Sequence, residues 1–350
     1  MGVQRKSKQK SVKKPSAVDS VPVAKKLSRW FEQNARDLPW RRNPQPYPVW
    51  LSEVMLQQTQ VTAVIPYFNR FLSSFPTVGD LARASIDQVY SHWAGLGYYS
   101  RARNLHKGAQ AMQALIDAGS GFPKNRNEWL LVPGVGEYTA GAVCSIALNQ
   151  REAIVDGNVV RVLSRVHAIG KVDAKKTEIW DRAREIVEVK GVEPRSVNQA
   201  LMELGALVCR PKNPSCAECP VTKECRAYLS DSVSKYPPAK PKKEWKHLSE
   251  ERWVLVHAGK VLLLKNEEAR WRKGLWDFPI PDFTKVGRAR LLKEEISRYV
   301  VTNHKIERKH LVFEVSKDVA EQLIRHGSWF SAKELPGVPA PVKKFLAKLF

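Results

Sequence analysis

Leu131-Val132-Pro133-Gly134-Val135-Gly136, followed twenty residues later by Asp156-Gly157-Asn158, is the stretch on which the fold turns. Val135 aside, the tip of this proline-glycine hairpin carries little side-chain bulk. Its glycines permit positive φ and leave backbone N–H groups open to an approaching group. A helix starting near Glu137 sets its positive dipole end at the same place, which suits a phosphate. A carboxylate at Asp156 could then act on whatever that phosphate belongs to. Taken alone, the stretch reads equally well as a tight turn between two helices and an ordinary helix cap. Its surroundings have to decide.

Those surroundings are helical. Before the hairpin, apolar residues recur at helical spacing over Ala24–Asn34, Val49–Gln57, Val61–Phe75, Val78–Ala84, Ile86–Ala94, Arg101–Ala118 and Asn127–Leu131. After it they recur over Glu137–Leu148, Asn158–Val166, Lys175–Val189 and Val197–Leu207. Pro76 and Gly119-Ser120-Gly121 punctuate the boundaries. An all-α domain is therefore expected over 23–227, behind a disordered basic arm at 1–22. Residues 228–247, rich in Ser, Pro and Lys, read as a linker. Residues 248–350 read as an α+β domain. In it Arg252–Val256 and Lys260–Leu264 form a hairpin about Ala258-Gly259. Helices are expected near Arg288–Tyr299, Ala320–Arg325 and Val342–Leu349, and a strand near His310–Val315.

A net charge of +23 over 350 residues calls for a polyanionic partner. A membrane surface would need a basic amphipathic helix with an exposed apolar face, and none stands out. No apolar run is long enough to cross a bilayer, so nucleic acid is the partner expected and a membrane is not. The N-terminal Arg5, Lys6, Lys8, Lys10, Lys13 and Lys14 lack the apolar core of a secretory signal. A reducing, cytoplasmic setting follows, associated with the nucleoid in a bacterial-like cell; a nuclear or organellar address stays open.

Four of the five cysteines crowd together as Cys209, Cys216, Cys219 and Cys225, spaced C-x6-C-x2-C-x5-C. Four thiolates this close bind a soft metal or an iron–sulfur cluster. Structural zinc usually shows two C-x2-C knuckles, and here there is one, so the spacing leans modestly toward [4Fe–4S] and leaves zinc open. Arg210, Lys212, Lys223 and Arg226 interleave the loop and would let it grip phosphates. Cys144 sits alone in an apolar helix as a small core residue.

The hairpin, the aspartate twenty residues on and the cysteine spacing together resemble the helix-hairpin-helix DNA glycosylases of the endonuclease III superfamily, over about residues 24–227. The resemblance implies that Val132, Gly134, Val135 and Gly136 contact DNA and that the cysteines hold [4Fe–4S]. Bifunctional members carry a Schiff-base lysine two residues after the second hairpin glycine. Tyr138 stands there, which implies base removal without strand scission. The run Trp50-Leu51-Ser52-Glu53-Val54-Met55-Leu56-Gln57-Gln58-Thr59-Gln60 resembles MutY-type adenine glycosylases, whose general acid would be Glu53.

The residues agree with those roles. Glu53 shares a helix face with Trp50 and Leu56, and a desolvated carboxyl stays protonated more readily. Asp156 caps a helix, whose amides are expected to keep it ionised beside a developing cation. The mechanism implied is two-carboxyl cleavage of an N-glycosidic bond. Glu53 donates to adenine N7, and Asp156 stabilises the sugar cation electrostatically or by transient attachment. Asn158 orients the aspartate or the sugar, and Tyr138 bonds one of the carboxyls. The adenosine must be flipped out. By resemblance Gln58 and Tyr98, the latter in a flexible Gly95-Leu96-Gly97-Tyr98-Tyr99 loop, wedge at the mismatch.

The C-terminal region resembles, more loosely, the Nudix-like domain with which this family reads 8-oxoguanine opposite adenine. Gly274-Leu275-Trp276-Asp277-Phe278-Pro279 matches the family's pattern. The family's Phe-Ser-His loop is altered to Arg308-Lys309-His310, so only His310 survives and Lys309 replaces the serine. The expected substrate is duplex DNA bearing A:8-oxoguanine or A:G, bound by a monomer. Two other readings remain in play. One is a related thymine glycosylase for G:T mismatches; the other is a non-catalytic iron–sulfur DNA-binding protein.

Overall fold

The structure, a computed structural model, describes residues 18–173, 175–239, 244–267, 272–281 and 289–350. The chain divides into two compact units. One gathers the residues up to Arg36 with Asn149–Ala239, the other Asp37–Leu148 with Lys240–Phe350.

The first unit is helical and organised by an apolar core. Helix Ser20–Asn34 buries Val23, Ala24, Leu27 and Phe31 against helices Gly157–His167, Thr177–Val187 and Pro194–Leu207. Asp19 caps the first of these by accepting from the Val21 N–H, so the helical domain starts before residue 23. Of the expected basic arm, residues 1–17 lie outside the described residues. Burial outweighs polarity here, because four spaced apolar side chains hold a helix that also carries Lys25, Lys26 and Arg29.

The second unit begins with helices Pro39–Arg42, Pro46–Leu56, Val61–Ser74, Val78–Arg83, Ile86–Trp93, Tyr99–Asp117, Arg126–Leu130 and Glu137–Ile146. Two of their starts are fixed by capping boxes, Thr77 with Asp80 and Ser85 with Gln88. Trp50, Trp93 and Trp129 are fully enclosed at its centre. Among the described residues no helix is long and apolar enough to cross a membrane.

A six-stranded sheet completes this unit. Its strands are β1 (Lys246–His257), β2 (Lys260–Lys265), β3 (Trp276–Asp277), β4 (Arg290–Val301), β5 (His304–Glu314) and β6 (Ser328–Ser331), in the order β3-β2-β1-β5-β4 with β6 also on β2. Helices Lys317–Leu323 and Ala340–Leu349 pack on it, as expected. β1 and β2 form the expected hairpin, and β1 runs parallel to β5 from Lys246 to Val256. The expected linker shortens accordingly, since β1 already starts at Lys246; residues 240–243 within it are not described.

The helix expected near Arg288–Tyr299 is instead the strand β4, antiparallel to β5. Leu291, Leu292, Ile296 and Val300 mimic helical spacing, but they face outward, each at least 42% exposed. The inward positions are polar and satisfied by distant partners: Ser297 by His310 on β5, Glu295 by Lys348 on the last helix, Tyr299 by Arg272 ahead of β3. Cross-strand partners override helix propensity here.

Candidate active site

The hairpin is anchored from beneath. Trp129 is fully buried, and Val132 and Val135 are 4% and 8% exposed. Their side chains therefore belong to the core and anchor the turn from beneath. The Val135 N–H closes the turn on the Val132 carbonyl at 3.0 Å. Gly134 has φ +81°, and a Cβ there would lie 2.5 Å from that of Asn104. The amides of Gly134 and Gly136 find no acceptor among the described residues. With helix Glu137–Ile146 starting directly behind them, two open N–H groups share a positive helix end.

Tyr138, in the first turn of that helix, points its hydroxyl at Glu53 and donates to Oε2 at 2.6 Å. Glu53 lies on helix Pro46–Leu56, which is buried almost all round, and is itself 4% exposed. A carboxyl in that setting pays heavily for charge unless it is bonded, and the neutral acid is the form that can give a proton. The structure thus brings two of the expected catalytic residues into direct contact.

Asp156 and Asn158 form a second group at the start of helix Gly157–His167. Asp156 Oδ1 accepts from the Val159 N–H at 2.7 Å, and Oδ2 from Asn158 Nδ2 at 2.8 Å. The expected cap is there. Its electrostatic consequence differs from expectation, because burial pushes the Asp156 carboxyl above its usual range despite these bonds. Desolvation wins over the helix amides.

Arg161, which no motif marks in the sequence, fixes this group. Its Nη2 donates to Asn158 Oδ1 at 2.8 Å and to the Gly205 carbonyl at 2.6 Å, and Nε donates to the Cys209 carbonyl at 2.7 Å. The i, i+3 spacing of Asn158 and Arg161 was the one available clue. Gly205 is needed for the seat, since a Cβ would stand 2.6 Å from the Asn158 Cβ and 3.1 Å from its Cα. Gly205→Ala is expected to cost about 1–3 kcal/mol of stability and to displace Asn158. Thermal melting and the base-removal rate, measured together, check this; an unchanged rate would mean that Asn158 is not needed where it stands.

Cys209, Cys216, Cys219 and Cys225 line one cavity, which holds no carboxylate or imidazole. Arg165, buried beneath it, donates to Cys209 Sγ at 3.3 Å and to the carbonyls of Arg210, Pro211 and Tyr236. Burial pushes the Cys216, Cys219 and Cys225 thiols up, Cys219 to about 11, and it is as thiolates that they would serve as ligands. Among the described residues no three metal-ligating side chains converge on a single ion position. Four soft donors lining one cavity fit a soft metal or an iron–sulfur group. Lys212 and Lys223 stand exposed beside them.

Gln58 and Tyr98 are both exposed and both left-handed, with φ +58° and +49°. The loop before Tyr98, expected to be flexible, is pinned. Gly95 packs on Tyr67 so closely that a Cβ would fall 2.0 Å from its Oη, and Trp93 Nε1 holds the Gly97 carbonyl at 3.1 Å. A single guanidinium, that of Arg101, bonds the segments carrying Gln58 and Tyr98; no sequence motif marks it.

Lys309 and His310 lie within β5 rather than in a loop. Lys309 pairs with Glu294 at 3.0 Å. His310 is fully buried, stacked on Phe345 at 4.0 Å and bonded through Nε2 to Ser297 Oγ at 2.9 Å; burial lowers it to about 4. Arg308 beside it is locked to Asp277 and Glu250. His310 is thus enclosed in the core, and Lys309 is engaged with a neighbouring strand.

Comparison with known proteins bears on this geometry. The profile of the HhH-GPD superfamily, described as base excision DNA repair proteins, matches residues 51–187. An adenine DNA glycosylase of Buchnera aphidicola from Schizaphis graminum is 34% identical over 91% of this chain and 96% of its own length. The human adenine DNA glycosylase is 47% identical over 57% of this chain but 38% of its own length. The chain thus spans about two fifths of the mammalian relatives, with 42% of the rat protein covered. The solved structure of a thermostable thymine-DNA glycosylase is similar at a TM-score of 0.54 and 26% identity, over 61% of this chain and 97% of that one.

Proposed function

The chain belongs to the adenine DNA glycosylases of the HhH-GPD superfamily, and on that premise we propose that it hydrolyses the N-glycosidic bond of adenine mispaired with 8-oxoguanine or guanine in duplex DNA, without cutting the strand. The observation that carries this is the 2.6 Å bond from the Tyr138 hydroxyl to the buried Glu53. A phenol there can orient an acid but cannot form an imine, so the lyase step has no amine to run on.

In the reaction Glu53 gives its proton to N7 of the extrahelical adenine. The bond from N9 to C1′ then breaks, its electron pair passing to the purine, and C1′ is left as part of an oxocarbenium-like sugar. Asp156, ionised, stabilises that cation, and Asn158 with Arg161 behind it keeps the carboxylate in place. Water adds to C1′ and loses a proton, leaving an abasic site and free adenine. The open amides of Gly134 and Gly136 would hold a phosphate of the same strand, while Gln58 and Tyr98 fill the space the base has left.

Cys209, Cys216, Cys219 and Cys225 would hold a [4Fe–4S] cluster, which when bound ties the 209–225 loop together by four iron–sulfur bonds. The exposed Lys212 and Lys223 on that loop would then meet DNA phosphates. The sheet-containing part acts as a Nudix-like reader of the opposite base, in a monomeric, cytoplasmic protein. The fold likeness to a thymine-DNA glycosylase covers 61% of this chain, whereas the relative matching along 91% of it is an adenine enzyme.

The test uses purified protein on duplexes carrying A opposite 8-oxoguanine, A opposite G, and T opposite G, each followed by hot alkali. Alkali-dependent breaks at adenine, absent without alkali, are expected. Breaks at thymine alone, or none anywhere, would sink the reading. Purified without air, the same protein should be brown; colourless protein would point to zinc.

A further inference from the structure

The two side chains assigned above to the gap in the stack, Gln58 and Tyr98, stand on backbone that L-residues rarely adopt. Such conformations persist only where the surroundings over-determine them. Trp93 and Tyr67 hold the Tyr98 side alone; one guanidinium reaches both segments. Arg101 Nη1 donates to the carbonyls of Val54, Met55 and Gln57 at 2.9, 2.8 and 2.6 Å. Its Nη2 donates to Thr59 Oγ1 and to the Leu96 and Gly97 carbonyls at 3.2, 3.2 and 3.3 Å. Three acceptors thus come from the Gln58 side and two from the Tyr98 side as backbone carbonyls, bridged by a planar fork. The same group lies 5.5 Å from the Tyr98 ring centroid and 5.4 Å from that of Trp93.

This cation is costly to keep. Arg101 is 9% exposed, none of these bonds goes to a carboxylate, and burial lowers it to about 10. The carbonyls at the end of helix Pro46–Leu56 would accept from water or a neutral donor if capping were the only need. What a neutral donor could not do is reach two separate segments at once. Arg101 also lines, with Gln58, Tyr98, Asn104 and Gly134, the cavity that joins both segments to the hairpin.

We propose that Arg101 is a positioning residue for base extrusion, holding Gln58 and Tyr98 pre-set as a paired wedge before DNA arrives. The inference rests on the adenine-glycosylase reading. A pre-set wedge spares the ordering of two loops at the moment the stack opens. Lysine keeps the charge but lacks the planar fork, so it can serve one segment or the other.

The experiment compares Arg101→Lys with wild type on two duplexes. In one the adenine faces 8-oxoguanine; in the other it faces an abasic-site analogue, where little unstacking is needed. Single-turnover excision should fall about 100-fold on the first and less than about 5-fold on the second. The fluorescence rise of 2-aminopurine at the target position, which reports extrusion, should be lost. Equal losses on both duplexes, as a merely structural role predicts, overturn the inference, and so does no loss on either. If circular dichroism shows that Arg101→Lys does not fold, Thr59→Val, which deletes one neutral acceptor, carries the test. The same ordering is then expected with a gap of about 5-fold, and equal losses on the two duplexes overturn the inference. Wild-type protein that excises adenine from neither duplex removes the glycosylase reading and this inference together.

Discussion

Glu53→Gln removes adenine excision, by at least about 1,000-fold in single turnover, while binding of a mismatched duplex stays within about 3-fold of wild type. The substitution is nearly isosteric. A glutamine carbonyl oxygen can still accept from the Tyr138 hydroxyl, now at 2.6 Å from Oε2, so the packing around helix Pro46–Leu56 need not change. What disappears is the acidic proton. Adenine leaves poorly as an anion, and general acids at such positions are worth about 100- to 10,000-fold. Binding rests mainly on phosphate contacts, to which a side chain 4% exposed adds little. Gel retardation with an uncleavable adenine analogue and alkali-developed excision measure the two quantities side by side. A fall in affinity as large as the fall in rate would make Glu53 a structural residue.

Much of this site is legible in the sequence because its parts are local. The Leu131–Gly136 hairpin, the Asp156 cap and the Cys209–Cys225 loop each lie within a few turns of chain, and each has residue types that few other structures need. The helices of both units follow from apolar spacing for the same reason. What stays hidden is whatever depends on distant partners. β4 looks helical until Ser297, Tyr299 and Glu295 are seen to be bonded by His310, Arg272 and Lys348, all distant from them in the chain. Arg101 and Arg161 read as two more basic residues in a chain of net charge +23, and only the fold turns them inward onto carbonyls. His310 shows the opposite failure. A motif letter survives, but the strand around it buries the ring against Phe345, so identity at a position does not carry exposure with it.

Asp156→Asn separates the two roles that one carboxylate holds. As a helix cap, asparagine is as good as aspartate, because its side-chain oxygen can accept from the Val159 N–H, as Oδ1 does at 2.7 Å. Stability is therefore expected to be kept. The sign can be followed with pH. Burial raises the Asp156 pKa in the folded protein, so its ionised form is a folded-state cost that is absent in acid and grows as pH rises through that value. Asparagine never ionises, and the variant should melt at the same temperature as wild type or slightly higher at neutral pH. Catalysis goes the other way. An amide dipole cannot replace a full negative charge beside an oxocarbenium ion, and losing such stabilisation costs about 100- to 1,000-fold. Wild-type excision should itself fall on acidification as Asp156 takes up a proton, and do so nearer neutrality than an ordinary aspartate would require. Melting curves and single-turnover rates across pH check both halves. A variant that melts early and loses rate in proportion would mean that Asp156 serves only as a cap.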